Sequence, residues 1–487
     1  MNTSGGIFIG GKSLFFMIFM AITIHVNAQQ WINQKYDYDS TLNILYGSAI
    51  NFNGSTDSLT LDLFLPRCDD SSQVLLRPLL LFIHGGAFLA GDKNDLSIQS
   101  FCKSFASRGY VTASIDYRLG FVADDVAWNC NYPSYNCVFA ADTAEWYRAY
   151  YRGVQDAKGA LRFLVNRYAS YRIDTANIFV AGESAGAFIA LGVALLDTSS
   201  ERPPLTHTIL DAPSPSSNSY SCSYNVAQNF TAATIARSDL GGIDGDIEPT
   251  SINYVIKGVG NMYGGIFNNL LQAHRFNHPL PAIYSFHQPC DLVVPIDQNS
   301  IYWGLSWCMT NGYNCSAITN TPIVSGSRAI SRLNATNNYG YVMQDDFTSV
   351  VFPYNYLLGP GSCLDQVNIP CHAYDNRSLR EDHMAQFFST RITTSPICGA
   401  TGIETIKDKS ILRVFPNPAS TWLIFDITTD DYGSVAMYDF TGRCIMEQRE
   451  VSMGENKIDV RELPSGCYHI VYRGKSGESL ASQFIKL

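Results

Sequence analysis

An α/β domain with a mostly parallel sheet covered by helices on both faces, followed by a small all-β sandwich, is what this 487-residue sequence predicts. Three observations carry that expectation. Apolar runs of strand character alternate with stretches of helical spacing as far as Ile392, the pattern of strands joined by crossover helices. Residues 78–83 are apolar almost without interruption, as a strand buried on both faces should be. From Thr394 to Ser410 the chain turns to Thr, Ser, Pro, Gly and charged residues, then resumes as short β-like runs.

Taken in order, residues 59–65 alternate apolar and polar side chains like an edge strand, 78–83 form the buried strand, and 110–115 form another. Residues 147–168 put Val154, Ala157, Leu161, Leu164 and Val165 on one helical face. They lead through Ile173 and Asp174 into an apolar strand ending near Ala181. Residues 122–146, rich in aromatics and cysteine, and 213–277, rich in Ser, Asn and Gly, read as insertions able to form lids or pocket walls. Met384, Phe387, Phe388 and Ile392 mark a terminal helix over 377–392. Beyond the break, 422–427, 434–438, 457–460 and 468–472 are β-like runs separated by Gly, Asp and Pro turns, a small antiparallel sandwich.

Composition narrows the function. A hydrophobic fraction of 46% allows a sizeable core, and a net charge of -10 without a basic cluster argues against nucleic acid and polyanionic substrates. Lys12, an apolar run over 14–24 and then Val26-Asn27-Ala28 read as a signal peptide cleaved after Ala28. The run is shorter than the roughly 20 residues that span a bilayer, and no later stretch reads as a membrane helix, so no stable membrane anchor is expected. All 13 cysteines lie beyond that point, as suits an oxidising compartment. Local disulfides are expected for Cys130 with Cys137, Cys308 with Cys315 and Cys363 with Cys371, with the odd count leaving one thiol unpaired. No cysteine or histidine cluster has structural-zinc spacing, and neither metal nor cofactor is expected. The domain plan is a signal peptide over 1–28, a catalytic domain over 29–395, a linker over 396–411 and a C-terminal domain over 412–487.

The chemistry centres on Gly182-Glu183-Ser184-Ala185-Gly186, directly after the apolar strand. Ser184 would occupy a tight strand-to-helix turn, with Gly182 and Gly186 letting strand and helix approach without a clashing Cβ. Upstream, the strand at 79–83 runs into His84-Gly85-Gly86-Ala87-Phe88, whose glycines free the backbone to turn N–H groups into a pocket. The N–H groups of Gly86, Ala87 and Ala185 could then meet one oxyanion, each donor typically worth about 3 kcal/mol in a transition state. Glu183 reads as a structural partner rather than a base.

The order strand, HGGAF at 84–88, strand, YRLG at 117–120, a helix with Asp156, Ala157 and Leu161, then IDTANIFVAGESAGA ending at Ala187 resembles the α/β-hydrolases, specifically the carboxylesterase and lipase group. The resemblance implies hydrolysis of carboxylic esters through an acyl-enzyme, with an acid and then a histidine coming after the serine. For the acid, Asp291 in His287-Gln-Pro-Cys-Asp291-Leu-Val-Val-Pro295 matches the family pattern G-x-x-D-x-x-V-P after a strand at its acid, valine and proline, and departs from it at the glycine. Asp297 is the reserve, and Asp211, after a strand at 208–210, is the competitor. For the base, His372 lies in the loop ahead of the terminal helix, as the family requires, whereas His383 falls inside that helix and is the alternative. His372 would then take the Ser184 proton while Asp291 orients the imidazole. A serine peptidase, or a depolymerase of polyesters or polysaccharide esters, is the alternative within the fold. A non-catalytic binding or adhesion protein is the alternative outside it.

At the C-terminus, Val414-Phe-Pro-Asn-Pro-Ala419, Ala436-Met-Tyr-Asp-Phe-Thr-Gly-Arg443, a run from Asn456 to Tyr468, and Phe484-Ile-Lys-Leu487 resemble the type IX secretion sorting domain. That resemblance implies export through the periplasm of a Gram-negative bacterium to the surface or the medium, with the type IX machinery as partner. From the residues alone, a carbohydrate-binding or spacer module is the other reading.

Overall fold

The computed structural model describes residues 31–67, 76–123, 140–211, 236–272, 279–303, 321–348, 371–393 and most of 412–487, with two short strands at Ser219–Ser221 and Asn229–Phe230. The segment 1–28, the linker 396–411 and Cys130, Cys137, Cys308, Cys315 and Cys363 lie outside the described residues. The chain divides into two units, Met1–Gly399 and Ala400–Leu487.

In the first unit, β1 (Tyr38–Ile50), β2 (Thr56–Pro66), β3 (Arg77–Ile83), β4 (Val111–Ile115), β5 (Ile173–Glu183), β6 (Ile256–Met262), β7 (Ala282–His287) and β8 (Met343–Phe347) form one sheet. Their order is β1-β2-β4-β3-β5-β6-β7-β8, with β2 alone antiparallel to its neighbours. This is the α/β-hydrolase fold.

Alternation along β3 explains why that strand reads as an apolar run. Leu79, Leu81 and Ile83 pack on the face covered by α2 (Thr143–Asn166) and α3 (Ala185–Leu195). Leu80 and Phe82 pack on the other face, against α1 (Leu96–Ser107) and a C-terminal helix (Arg377–Ser389). Each of these five side chains is no more than 1% exposed, a burial worth about 1.5–3 kcal/mol apiece.

Several elements differ from the expectation. β2 is second from the edge, because the polar stretch at 38–50 supplies β1; its Leu42, Leu45 and Ile50 are exposed, so it shows little apolar alternation. Residues 256–262 are not part of an insertion but a central strand. Gly258 and Gly260 hide it, and the packing explains them. A Cβ would stand 3.2 Å from Phe388 at the first and 2.6 Å from Met384 Sδ at the second, where the C-terminal helix crosses. α2 begins at Thr143, before Trp146, with the Asp142 side chain accepting from the Glu145 N–H. Residues 208–210 form no strand, only a bridge from Ile209 to Arg237.

The second unit is a sandwich. β9 (Arg413–Phe415), β10 (Trp422–Ile427) and β13 (Gly454–Asp459) make one antiparallel sheet. β11 (Gly433–Asp439), β12 (Cys444–Val451), β14 (Gly466–Gly474) and β15 (Ser479–Lys486) make the other, in the order β12-β11-β14-β15. Leu423, Phe425 and Ile458 from the first meet Val435, Met437, Ile470 and Phe484 from the second in a shared core.

Backbone meets backbone closely at the turn after β5. A Cβ on Gly186 would lie 2.1 Å from the Ile83 carbonyl oxygen, and one on Gly182 would lie 2.3 Å from the Gly186 carbonyl carbon. Gly186→Ala should therefore lower stability by about 2–3 kcal/mol or prevent folding; a denaturant midpoint equal to that of the natural chain would contradict this packing.

Candidate active site

Strands β3, β5 and β7 all end on the carboxyl edge of the sheet, and each delivers a reactive or positioning group there. After β5, Ser184 takes φ 51° and ψ -121° between Glu183 and the first residue of α3. Such a backbone is costly for a residue with a Cβ, and the surrounding contacts hold it there. The Ser184 N–H donates to the Met262 carbonyl of the neighbouring strand at 2.9 Å.

After β3, the chain turns back through Gly86, Ala87 and Phe88, all in the left-handed region. Gly86 has no alternative there, since a Cβ would fall 2.0 Å from the Ala90 carbonyl oxygen. Gly85 lies against the serine, its absent Cβ 3.2 Å from Ser184 Cβ. The loop is held from outside by the 117–120 motif. Tyr117 stacks on His84 and donates its hydroxyl to the His84 carbonyl at 3.1 Å, while the Gly120 N–H donates to the Phe88 carbonyl at 2.8 Å. Arg118 ties the same motif to α2 through the buried Asp156, at 2.7 Å. The His84 ring is buried, which pushes its pKa down, and its Nδ1 lies 2.7 Å from the Gly85 carbonyl. Among the described residues, the N–H groups of Gly86, Ala87 and Ala185 make no backbone hydrogen bond in the turns and loops.

After β7 comes Asp291, 1% exposed. Its Oδ1 accepts from the N–H groups of Val293 and Val294, at 2.8 and 2.9 Å. Its Oδ2 lies 2.7 Å from His372 Nδ1, and His372 Nε2 lies 2.8 Å from Ser184 Oγ. Burial pushes the Asp291 carboxyl up, but the imidazoles of His372 and His287 outweigh it and hold the group below the ordinary carboxylate value. Serine, imidazole and carboxylate thus form one hydrogen-bonded line.

Three further contacts fix His372. Cys371 is disulfide-bonded to Cys290, so the residues preceding His372 and Asp291 are covalently joined. Cys371 therefore does not pair with Cys363; the acid loop and the histidine loop meet in space across 81 residues of sequence, which local spacing cannot indicate. Gln288 donates to the Ala373 carbonyl at 2.7 Å, and the Tyr263 ring meets the imidazole edge-on at 4.9 Å. At the hydroxyl of that tyrosine, Glu183 accepts from Tyr263 at 3.1 Å and from Ser97 at 2.6 Å. Burial raises the Glu183 pKa, and its contacts are with this supporting shell.

The reserve residues sit elsewhere. His383 Nδ1 lies 2.8 Å from Asp346 Oδ2, and Asp297 is engaged by Arg328 and Arg332. Asp211 offers its backbone carbonyl to Arg237. Sequence reasoning passed over the Cys290–Cys371 bond, Tyr263, Tyr374 and the contact of His287 with Asp291. A signal for the first was present, because one cysteine immediately precedes Asp291 and another immediately precedes His372.

Residues 61–127 and 144–251 match the BD-FAE family, and residues 413–486 match the secretion system C-terminal sorting domain. The first unit carries a BD-FAE domain, of the α/β-hydrolase esterase class, and the second is a type IX sorting domain. Among curated proteins, gut esterase 1 of Caenorhabditis elegans is 26% identical over 31% of this chain and 24% of its own length. The neuroligin-like protein glit-1 of the same species is 28% identical over 27% of this chain and 15% of its own. The chain thus spans about a quarter or less of those relatives. Among solved structures, esterase B from Lactobacillus rhamnosis aligns with a TM-score of 0.35 at 14% identity, over 77% of this chain and 95% of that one. A truncated carbohydrate esterase from gut microbiota gives 0.36 at 13% identity, over 74% and 98%.

The two late histidines, His372 and His383, are separable by experiment. His372→Ala should slow covalent labelling of Ser184 by a fluorophosphonate by about 10³-fold, as loss of a triad base does. His383→Ala should leave that rate within about twofold while costing roughly 1 kcal/mol of stability. The reverse pattern would assign the base to His383.

Proposed function

We propose that this protein is a secreted serine hydrolase that cleaves carboxylic esters through an acyl-enzyme. The observation that carries the reading is the continuous line from Ser184 Oγ through His372 to Asp291, at 2.8 and 2.7 Å, on the turn between β5 and α3. The BD-FAE match and the esterases among its relatives support the same chemistry.

In the mechanism, the Ser184 hydroxyl donates its proton to His372 Nε2 as Oγ attacks the ester carbonyl. The electron pair displaced onto the carbonyl oxygen is met by the N–H groups of Gly86, Ala87 and Ala185. His372 passes the proton to the departing alcohol, and the acyl group stays on Ser184. Water then attacks with His372 again as base, releasing the carboxylic acid and restoring the serine. Asp291 accepts from Nδ1–H throughout and stabilises the imidazolium formed in each half. Donors from Val293, Val294, His372 and His287 offset the several kcal/mol that burying its carboxylate costs. Every step is an acid–base or nucleophilic one that these side chains supply.

The sorting domain supports export through the type IX machinery to the cell surface or medium, by way of the periplasm. An ester carried on an extracellular polymer or a small molecule fits that destination. A binding protein on the same fold is the rival reading, and the complete Ser184, His372 and Asp291 line favours hydrolysis over it.

Ser184→Ala should reduce turnover of p-nitrophenyl acetate by about 10⁴-fold or more and abolish fluorophosphonate labelling, with the fold unchanged by circular dichroism. Undiminished turnover in that variant, or failure of the natural protein to be labelled, would contradict the proposal.

A further inference from the structure

The triad acid has a second imidazole on it. His287, the last residue of β7, is fully buried, and its Nε2 lies 3.2 Å from Asp291 Oδ2, the same oxygen that His372 Nδ1 meets at 2.7 Å. The proton on His287 can be placed from the groups around it. Asn261 Oδ1 accepts from the Gly264 N–H at 3.1 Å, which fixes the amide with its nitrogen toward Ser285 and Ser327. Asn261 Nδ2 donates to Ser327 Oγ at 3.1 Å, so the Ser327 hydroxyl is free to donate onward to His287 Nδ1, at 2.8 Å. Nδ1 is then an acceptor and the proton sits on Nε2. There it faces two acceptors, Asp291 Oδ2 and the Val294 carbonyl at 3.1 Å.

We infer that His287 is a positioning residue for catalysis, donating Nε2–H to Asp291 Oδ2 and so holding the carboxylate plane that orients His372. The inference rests on the esterase reading above. Oδ1 is already pinned by the N–H groups of Val293 and Val294, so the carboxylate can pivot only through Oδ2. His372 comes from a separate loop, whereas His287 comes from the sheet. A donor anchored to β7 on one side and to Ser327, the first residue of α4 (Ser327–Asn337), on the other ties Oδ2 to the rigid part of the domain. The relay Asn261, Ser327, His287, Asp291 thus carries hydrogen-bond direction from β6 and α4 to the triad. It moves no proton during turnover. Its contribution is orientation, and its loss should appear in kcat rather than KM.

The test measures kcat and KM on a p-nitrophenyl ester, normalised to active sites counted by fluorophosphonate, for His287→Ala, His287→Gln and Ser327→Ala, each also in an Asp291→Ala background. Expected are a fall in kcat per site of about 20-fold for His287→Ala with KM within about twofold, and recovery to within about fivefold for His287→Gln, which keeps a donor. Should His287→Ala fail to fold, Ser327→Ala should still lower kcat several-fold by freeing the tautomer. In the Asp291→Ala background, the His287 and Ser327 substitutions should change kcat by less than about 1.5-fold, because they act through the missing carboxylate. Unchanged kcat per site in His287→Ala or, should that variant not fold, in Ser327→Ala, or full additivity with Asp291→Ala, would overturn the inference and leave the esterase reading intact. Turnover surviving in Ser184→Ala would instead remove that reading itself.

Discussion

The bond between Cys290 and Cys371 ties the residue before Asp291 to the residue before His372, and the geometry of the candidate site depends on that tie. Ser184 needs no such help, because its turn is fixed by sheet register and by glycines packed against backbone. His372 lies on a loop that enters from 81 residues downstream of Cys290, and its imidazole must meet Ser184 and Asp291 at once. A cross-link over that separation removes about 4–5 kcal/mol of chain entropy from the unfolded state in the loop-closure treatment. More to the point for chemistry, it limits how far Asp291 and His372 can drift apart. Export to an oxidising environment, toward which the sorting domain points, is where such a bond persists.

Around this tie the protein arranges two supports. One is aromatic: Tyr263 meets the imidazole edge-on, and Tyr374, two residues past His372, stacks on Phe286 and meets Phe101. Those rings pass the position of the histidine loop to β7 and α1. The other is polar, with Glu183 at the hydroxyl of Tyr263 and His287 against Asp291. Burying Glu183, Asp291 and His287 would be costly if any lacked partners, and each has hydrogen bonds.

Much of this was legible in the sequence where local chemistry decides. The G-x-S-x-G glycines answer to contacts of 2.1–2.3 Å that any Cβ would make, and the HGGAF glycines answer to a chain that doubles back on itself. The unbroken apolar run of β3 reports a strand with a helix layer on each face. Elements decided by distant partners were harder to see. β6 carries glycines where the C-terminal helix crosses, so it loses the apolar signature of a buried strand and read as part of a loop-rich insertion. β1 is an edge strand with a solvent-facing side and little alternation. Cys371 has a sequence-near candidate in Cys363, and only the meeting of two loops in space selects Cys290. His287 stands four residues before Asp291 in the sequence, but the contact between them depends on the turn after β7 and has no local signature.

The most direct test of this account is the turnover of the full-length protein before and after selective reduction of Cys290–Cys371 by a phosphine under native conditions. Mass spectrometry would track the bond, and kcat would be referred to sites able to react with a fluorophosphonate. Reduction should lower kcat by about tenfold or more with KM within about twofold, reversibly on reoxidation, since orientation of the base is lost while the pocket stays. Full kcat per site in the reduced protein, with the bond shown to be open, would contradict the claim that this tie holds acid and base in register.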